Sequence, residues 1–311
     1  MKVLVCGSVS YDTITVSAED FRRHFLPQDT ATLNVTCDVT DMRREFGGCA
    51  ANICHNLDLL GCESYPAATV GYDFDDYASW MRRNGMRLDY IMTLPEVRTA
   101  HYFISVDADA NQIVIFYPGA MARSRENTVD YDAGFDLGVL APDAVAGMLH
   151  HAANLDERGV PVIFDPGPVV HLLQADEIAY LLKLATWVIL NEHEWDVLHK
   201  KTKLVEEQII ATSEALIITE GGNGSVIMTK HGNIALPALR VTPRDPAGCG
   251  DAYRAGIIFG ILNGYDWPLA GRIANLMGAI CAESRGAQNH SFSMEEFAER
   301  YQRSYGEAIK L

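Results

Sequence analysis

The stretch Asp245-Pro246-Ala247-Gly248-Cys249-Gly250-Asp251-Ala252-Tyr253-Arg254-Ala255-Gly256 combines a glycine-rich turn with the start of a helix. Apolar residues continue that helix at helical spacing as far as Leu262, and Asn263-Gly264 then ends it. A glycine turn at the positive end of a helix dipole leaves backbone N–H groups free and lets an anion approach the backbone closely. The stretch therefore predicts an anion-binding loop.

Asp251 lies in the first turn of the predicted helix, beside this loop. A carboxylate repels the anion that the loop attracts, so its position needs an explanation. It can accept a proton from an incoming hydroxyl, or it can simply favour the helix N-terminus. An isolated G-x-G-D favours the second interpretation.

The whole stretch resembles the D-x-x-G-x-G-D signature of the ribokinase or PfkB-type carbohydrate and nucleoside kinases. It departs from the common pattern at Ala247 and Cys249, where Thr and Ala are frequent, but neither side chain is needed if the backbone binds the anion. The resemblance implies that ATP is the phosphoryl donor and that Asp251 is the catalytic base. It also implies an anion hole formed by the N–H groups of Gly248, Cys249 and Gly250.

Composition excludes several classes of protein. The 311 residues carry a formal net charge of −16, and no cluster of Lys and Arg suits a nucleic-acid backbone. Seven cysteines lack disulfide or zinc spacing, which favours reduced thiols in the cytosol. No apolar run reaches the roughly 18 residues of a membrane span. We expect a cytoplasmic protein with neither a membrane nor a nucleic-acid partner.

Two short motifs near the amino terminus are candidates for substrate binding. Asp12 follows the apolar run Val3–Cys6, and Gly47-Gly48 precedes a helical pattern that contains Asn52. Taken alone, each is more typical of a turn. The resemblance to the family's G-G-x-x-x-N motif implies instead that these residues hold sugar hydroxyls. The surrounding F-G-G-C-A-A-N-I, with M-R-R-E before it, is most similar to the bacterial adenosine kinase branch.

Short apolar runs alternate with helical patterns along most of the chain, which predicts an α/β fold with a mostly parallel central sheet. Two stretches differ, because Thr13–Val16, Thr32–Thr36 and the hairpin pattern 101–117 alternate polar with apolar residues. The resemblance implies a three-layer ribokinase-like fold with helices on both faces and a small β-sheet lid. We expect a core of residues 1–12, 46–93 and 118–311, with lid segments 13–45 and 94–117.

Aromatic residues of the predicted hairpin are candidates to stack on a base. Phe103, Phe116 and Tyr117 are the candidates because of their place in the lid, although aromatics in a hairpin serve packing more often. The resemblance also allows a homodimer formed through the lid, while the sequence leaves the oligomeric state open.

Further matches to the family fall in the second half of the chain. The N-x-x-E pattern of Asn191 and Glu194 implies organisers of Mg²⁺ or of the ATP phosphates, with Asn191 binding the cofactor and Glu194 holding Mg²⁺ through water. The T-x-G-x-x-G segment of Thr219, Gly221 and Gly224 resembles one that borders ATP in the family. Asn275 lies where related kinases pass the adenine ring. The loop 285–289 with Asp245 resembles one that encloses a monovalent cation, which allows a requirement for K⁺.

These matches predict an ATP-dependent kinase that phosphorylates a primary hydroxyl, with the 5′-hydroxyl of adenosine as the preferred acceptor. A sugar kinase acting on free ribose or fructose keeps the same motifs and stays open as an alternative. A nucleoside-binding or regulatory protein with degenerate catalysis is a second one, and the intact Asp251 weighs against it. Cys249, at a helix N-terminus, is either a thiol of lowered pKa or a small filler.

Overall fold

Short apolar segments form the strands of a large central sheet, as their composition predicts. The computed structural model describes residues 1–21, 36–109 and 111–309. Its strands are β1 Lys2–Cys6, β2 Ser10–Val16, β3 Asp41–Gly47, β4 Glu63–Gly71, β5 Tyr90–Leu94, β6 Ala100–Val106, β7 Gln112–Tyr117, β8 Leu137–Leu140, β9 Val162–Phe164, β10 Trp187–Asn191, β11 Ala215–Thr219, β12 Ser225–Thr229 and β13 Gly232–Leu236.

Nine of these strands form one sheet in the order β13-β12-β11-β10-β9-β8-β1-β4-β5. The seven strands from β11 to β5 run parallel, whereas β12 and β13 are antiparallel additions at one edge. Parallel strands end at the same edge of a sheet, so the polar residues that follow them lie near one another.

Helices cover both faces of this sheet. They are α1 Cys49–Leu59, α2 Asp75–Arg83, α3 Val145–Glu157, α4 Ala175–Leu184, α5 Glu192–Thr202, α6 Glu206–Ile210, α7 Cys249–Leu262, α8 Trp267–Ala282 and α9 Met294–Tyr305. Successive side chains of β1 point to opposite faces of the sheet. Val3 and Val5 pack with α1, α2 and α7 on one face, whereas Leu4 and Cys6 pack with α3 and α4 on the other. The three-layer α/β prediction is confirmed.

The remaining four strands form a small separate sheet in the order β3-β2-β6-β7, which is the lid. Strand β2 pairs antiparallel with β3 and parallel with β6, and β6 and β7 form the predicted hairpin. The predicted strand 32–36 lies outside the described residues except for Thr36, and the strand that pairs with β2 is Asp41–Gly47. The homodimer through the lid stays a prediction. Among the described residues, no helix has the length and apolar content needed to cross a bilayer.

Small residues bring α7 and α8 into close contact. Gly256 faces Ala274, and Gly260 faces Ala270, so closely that a Cβ on either glycine would overlap the opposite alanine. This contact fixes the helix that carries Asp251 against its neighbour.

The substitution Gly256→Ala tests this packing. Alanine gains about 1 kcal/mol of helix propensity, but its Cβ would strike the backbone of Ala274, which cannot move alone. We expect a net loss of about 2 kcal/mol in the free energy of unfolding, measured in urea. Gly271→Ala in α8 is the matched control, because its Cβ would meet the ends of the Leu236 and Ile227 side chains and no backbone atom. Equal stability of the two variants would contradict the packing argument.

Candidate active site

The glycine turn before α7 has the geometry that its sequence predicts. Gly248 precedes the helix with φ of 77°, in the left-handed region. A Cβ at this position would overlap Ala287, so both the backbone conformation and the space require glycine. The N–H of Cys249 lies 3.3 Å from the carbonyl oxygen of Pro246, which closes the turn. The helix that follows has 14 residues, and its N-terminus faces the turn.

Asp251 lies where the N-termini of α1 and α7 meet. Asn52 Nδ2 donates a hydrogen bond of 2.8 Å to Asp251 Oδ2 and joins two residues separated by 199 positions in the sequence. Burial raises the pKa of Asp251 to about 6, while the charge of Arg254 and the hydrogen bond from Asn52 act in the opposite direction. The carboxyl group is therefore ionised at neutral pH but a stronger base than an exposed aspartate.

Arg254, one helical turn after Asp251, is a buried cation. Its side chain pairs with Asp165 at the end of β9, and its Nη2 lies 3.8 Å from Glu194 Oε2. Although burial opposes the charge, these carboxylates raise the pKa of Arg254 above its usual value. Sequence reasoning missed both Arg254 and Asp165. Arg254 could have been identified from the sequence, because it is a charged residue on an otherwise apolar face of the predicted helix.

Asp12 and the glycine pair form the opposite wall of the site. Asp12 lies on β2, and a Cβ on Gly47 would approach its Oδ2 to 2.5 Å. Gly48 has φ of 96°, and a Cβ there would lie 2.6 Å from the carbonyl oxygen of Ser8. Burial raises the pKa of Asp12 to about 7, and the nearby Asp251 carboxylate adds to this shift.

The lid directs only one of the three predicted aromatics towards Asp12. Strand pairing sets Asp12 opposite Tyr102, and Tyr102 opposite Phe116, so these side chains share one face of the sheet. The rings of Tyr102 and Phe116 stack with centroids 4.3 Å apart. Phe103 points to the other face, where it stacks on His101. Sequence reasoning missed Tyr102. Successive residues of a strand point to opposite faces, so Tyr102 and Phe103 cannot both face Asp12. Knowing that Asp12 lies on the strand paired with β6 would have favoured Tyr102.

A cavity of about 610 Å³ lies on the other side of the glycine turn. Its lining includes the residues predicted to border ATP, which are Thr219, Gly221, Gly224 and Asn275. It also includes Cys249 and Gly250 of the predicted anion hole. Asp12, Asn52 and Asp251 do not line this cavity, whereas Cys249 and Gly250 do, so the turn lies between the cavity and the site formed by those three residues.

The residues predicted to organise Mg²⁺ cap a helix. Glu194 Oε2 accepts the N–H of Asn191, its Oε1 accepts from Asn191 Nδ2, and the Asn191 side chain accepts the N–H of Glu194 in return. Burial raises the pKa of Glu194. Among the described residues, no group of three His, Cys, Asp or Glu side chains is arranged to hold a metal ion.

Asp245, at the start of the turn, connects the lid to the core. Its Oδ1 accepts the N–H of Ala247, and its Oδ2 accepts the N–H of Gly286 at 3.1 Å and Arg43 Nη2 at 3.2 Å. Arg43 belongs to lid strand β3. The carboxylate of Asp245 is therefore engaged in hydrogen bonds with the lid and with the loop after α8.

Cys249 lies beside a second thiol, that of Cys281. The neighbouring Cys281 thiol lowers the pKa of Cys249, while burial and the carboxylates of Asp245 and Asp251 oppose that change. Both cysteines are reduced in the structure, and Cys249 is only partly buried.

Comparison with known proteins extends this picture. The family model of pfkB family carbohydrate kinases matches residues 2–293. The chain belongs to the pfkB carbohydrate kinase family. It is therefore a phosphotransferase with an alcohol group as acceptor, and the predicted ribokinase-like fold is confirmed.

Several pfkB relatives are similar over most of their length. A structure of Burkholderia thailandensis nucleoside kinase in complex with inosine is 35% identical, with a TM-score of 0.90 over 99% of this chain and 100% of that one. A nucleoside kinase of Methanocaldococcus jannaschii is 25% identical over 87% of this chain and 90% of its own. A ribokinase of Bacillus subtilis is 26% identical over 78% and 83%, respectively.

The raised pKa of Asp12 predicts that this residue lowers stability at high pH. The carboxyl group ionises near 4 in the unfolded chain and near 7 in the folded one. The folded state therefore binds the proton more tightly, and stability falls as pH rises from about 4 to about 7. Asp12→Asn should raise the free energy of unfolding at pH 8 by about 1–2 kcal/mol, reduced from the full linkage value because the group keeps some solvent access.

Urea unfolding at pH 8 and at pH 4 measures this effect. The gain should vanish at the lower pH, where Asp12 is protonated in the folded protein. Asp136→Asn, at an exposed position bonded to the backbone of Lys2, is the control for a general change of charge. A gain of the same size at both pH values would contradict the assignment.

Proposed function

We propose that this protein transfers the γ-phosphoryl group of ATP to the 5′-hydroxyl of a purine nucleoside. The observation that carries the proposal is the position of Asp251. Its carboxylate is held by Asn52 at the glycine turn, between the cavity of about 610 Å³ and the site that contains Asp12. A base at that boundary can contact an acceptor on one side while a terminal phosphate enters from the other.

The reaction follows from this arrangement. The acceptor oxygen attacks the γ-phosphorus, the bond from that phosphorus to the bridging oxygen of ADP breaks, and the acceptor proton passes to Asp251. Aspartate is a weak base toward an alcohol, so proton transfer comes late and most of the acceleration comes from alignment and charge stabilisation. The N–H groups of Gly248, Cys249 and Gly250 would meet the charge on the transferred group.

The lid face supports a nucleoside rather than a free sugar. Tyr102 and Phe116 form an aromatic pair on the same face as Asp12, which suits a planar base attached to a sugar held by Asp12 and Asn52. The similar Burkholderia thailandensis protein was solved with inosine and with ADP-inosine. Adenosine as the preferred acceptor stays a prediction, and turnover of adenosine and inosine ranks the two.

Two metal ions enter the proposal differently. Magnesium bound to ATP would neutralise phosphate charge, and Asn191 and Glu194 fit this group only through water, because their direct bonds form the cap of α5. The monovalent-cation site at Asp245 fits poorly, since both carboxylate oxygens already accept hydrogen bonds. A requirement for K⁺ stays a prediction, and no step depends on it.

Closure of the lid would exclude water from the transfer. Arg43 bonds to Asp245, and Glu45 Oε2 accepts a hydrogen bond of 2.8 Å from Asn289. Both contacts join β3 to loops of the core beside the anion-binding turn. A lid held in this way limits hydrolysis of ATP in the absence of acceptor.

The substitution Asp251→Asn tests the proposed base. The amide keeps the shape of the side chain but cannot accept the proton, so we expect kcat with a purine nucleoside to fall about 10³-fold. ATP binding, measured by calorimetry, should change by less than about threefold, because the nucleotide cavity lies on the other side of the turn. In the native enzyme, kcat/KM should decline below pH 6, where Asp251 becomes protonated. Near-normal turnover of the variant would overturn its assigned role.

The matched pair Tyr102→Leu and Phe103→Leu tests the site of the base. Stacking of a base on an aromatic ring is worth about 1–3 kcal/mol, so Tyr102→Leu should raise KM for the nucleoside by about 5- to 150-fold. Phe103→Leu, on the opposite face of the same strand, should leave KM close to its native value.

Free ribose and fructose as acceptors complete this experiment. If either sugar is turned over better than every nucleoside, and Tyr102→Leu has no effect, the chain is a sugar kinase. If no acceptor yields ADP, the alternative of a binding protein gains support.

A further inference from the structure

We propose that Gln288 is a positioning residue that fixes the side-chain amide of Asn52 in the orientation that donates to Asp251. The inference rests on the proposed role of Asp251 as base. Gln288 lies in the loop after α8 and is 3% exposed. Its Nε2 lies 2.6 Å from Asn52 Oδ1 and 2.7 Å from Tyr77 Oη.

The hydrogen bonds of this cluster run in one direction. The hydroxyl of Tyr77 donates to the carbonyl oxygen of Gly47 at 2.9 Å, so its oxygen is free to accept from Gln288. Asn52 accepts from Gln288 with its oxygen and donates to Asp251 with its nitrogen. Gln288 is thus the donor at the start of two chains, one ending at Asp251 and the other at Gly47.

The unused end of Gln288 strengthens this assignment. Its Oε1 is buried and makes no hydrogen bond with the described residues, whereas Nε2 makes two. Turning the amide over would set Oε1 against two oxygen acceptors. The position therefore needs a neutral donor, and glutamine supplies it without adding charge next to Asp251.

Asn52 needs such a lock because the two ends of an amide are similar in shape. If its oxygen faced Asp251, two acceptors would oppose each other, and the carboxylate would lose a donor that lowers its pKa. A hydrogen bond from Gln288 to Asn52 Oδ1 excludes this arrangement.

Other groups around Asp251 do not replace this role. Titratable and charged groups that influence it, or that it influences, come from the core, the lid and the glycine turn. They are Arg254, Asp165, Cys49, Asp12, Tyr102, Cys249 and Cys281. None of these is changed by substitution of Gln288, so a shift in the pKa of Asp251 reports on the amide chain.

The test measures the titration of Asp251 itself, by carbon NMR of the full-length protein labelled at the aspartate carboxyls and assigned with Asp251→Asn. Gln288→Met removes the donor at similar volume, and we expect the pKa of Asp251 to rise by about one unit. Asn52→Leu should raise it at least as much. If Gln288 acts through Asn52, the double variant should show no further rise beyond Asn52→Leu.

Turnover supplies the second readout. The deficit of Gln288→Met in kcat/KM should grow to about tenfold below pH 6 and shrink at pH 8, where Asp251 is ionised in both proteins. A merely structural effect would lower kcat/KM equally at all pH values. Asn289→Ala, which alters the next residue in the loop but no contact of Asn52, should leave the pKa of Asp251 unchanged.

The outcomes separate this inference from the proposed function. An unchanged pKa of Asp251 in Gln288→Met, or additive shifts in the double variant, would overturn the role of Gln288 even if Asp251→Asn abolishes turnover. A shifted pKa without any change in the pH profile would instead count against Asp251 as base. Should Gln288→Met fail to fold, Gln288→Leu replaces it, because it also removes the donor without adding a charge. The same rise in the pKa of Asp251 is expected, and an unchanged pKa would again overturn the role of Gln288.

Discussion

One buried guanidinium balances the carboxylates on which the site depends. Arg254 holds Asp165 and approaches Glu194, and its charge lowers the pKa of Asp251 against the effect of burial. A buried charge without a partner costs several kcal/mol of folding free energy. Removing Arg254 or one of its carboxylate partners would therefore leave a buried charge unpaired and destabilise the fold. Because Arg254 sits on α7 and its partners follow β9 and β10, the ion pairs that attach the helix to the sheet also set the protonation of the proposed base.

The loop after α8 serves two sides of the site at once. Its Ala287 packs against Gly248 of the glycine turn, its Gly286 donates to Asp245, and its Gln288 donates to Asn52. These contacts connect the loop to the glycine turn, to the start of α1 and to Asp245, which also bonds to Arg43 of the lid. A displacement of this loop would therefore alter the glycine turn and the proposed acceptor site together.

The two-residue period of strands decides which lid residues lie on the same face as Asp12. Asp12, Tyr102 and Phe116 share one face because they lie opposite one another across three strands. Phe103, one residue further along, points away and stacks on His101. A list of aromatic residues in a hairpin cannot make this distinction, since it depends on how the strands are paired.

The sequence by itself determined the α/β alternation, the lid hairpin, the glycine turn and Asp251, because each is encoded in a short run of residues. It did not reveal β3 at Asp41–Gly47, where charged residues mask the strand pattern, nor β5 and the edge strand β13. Only the tertiary structure brought Arg254 to Asp165 and Gln288 to Asn52, pairs separated by 89 and 236 residues. Such contacts arise from how distant elements pack, and no local pattern specifies them.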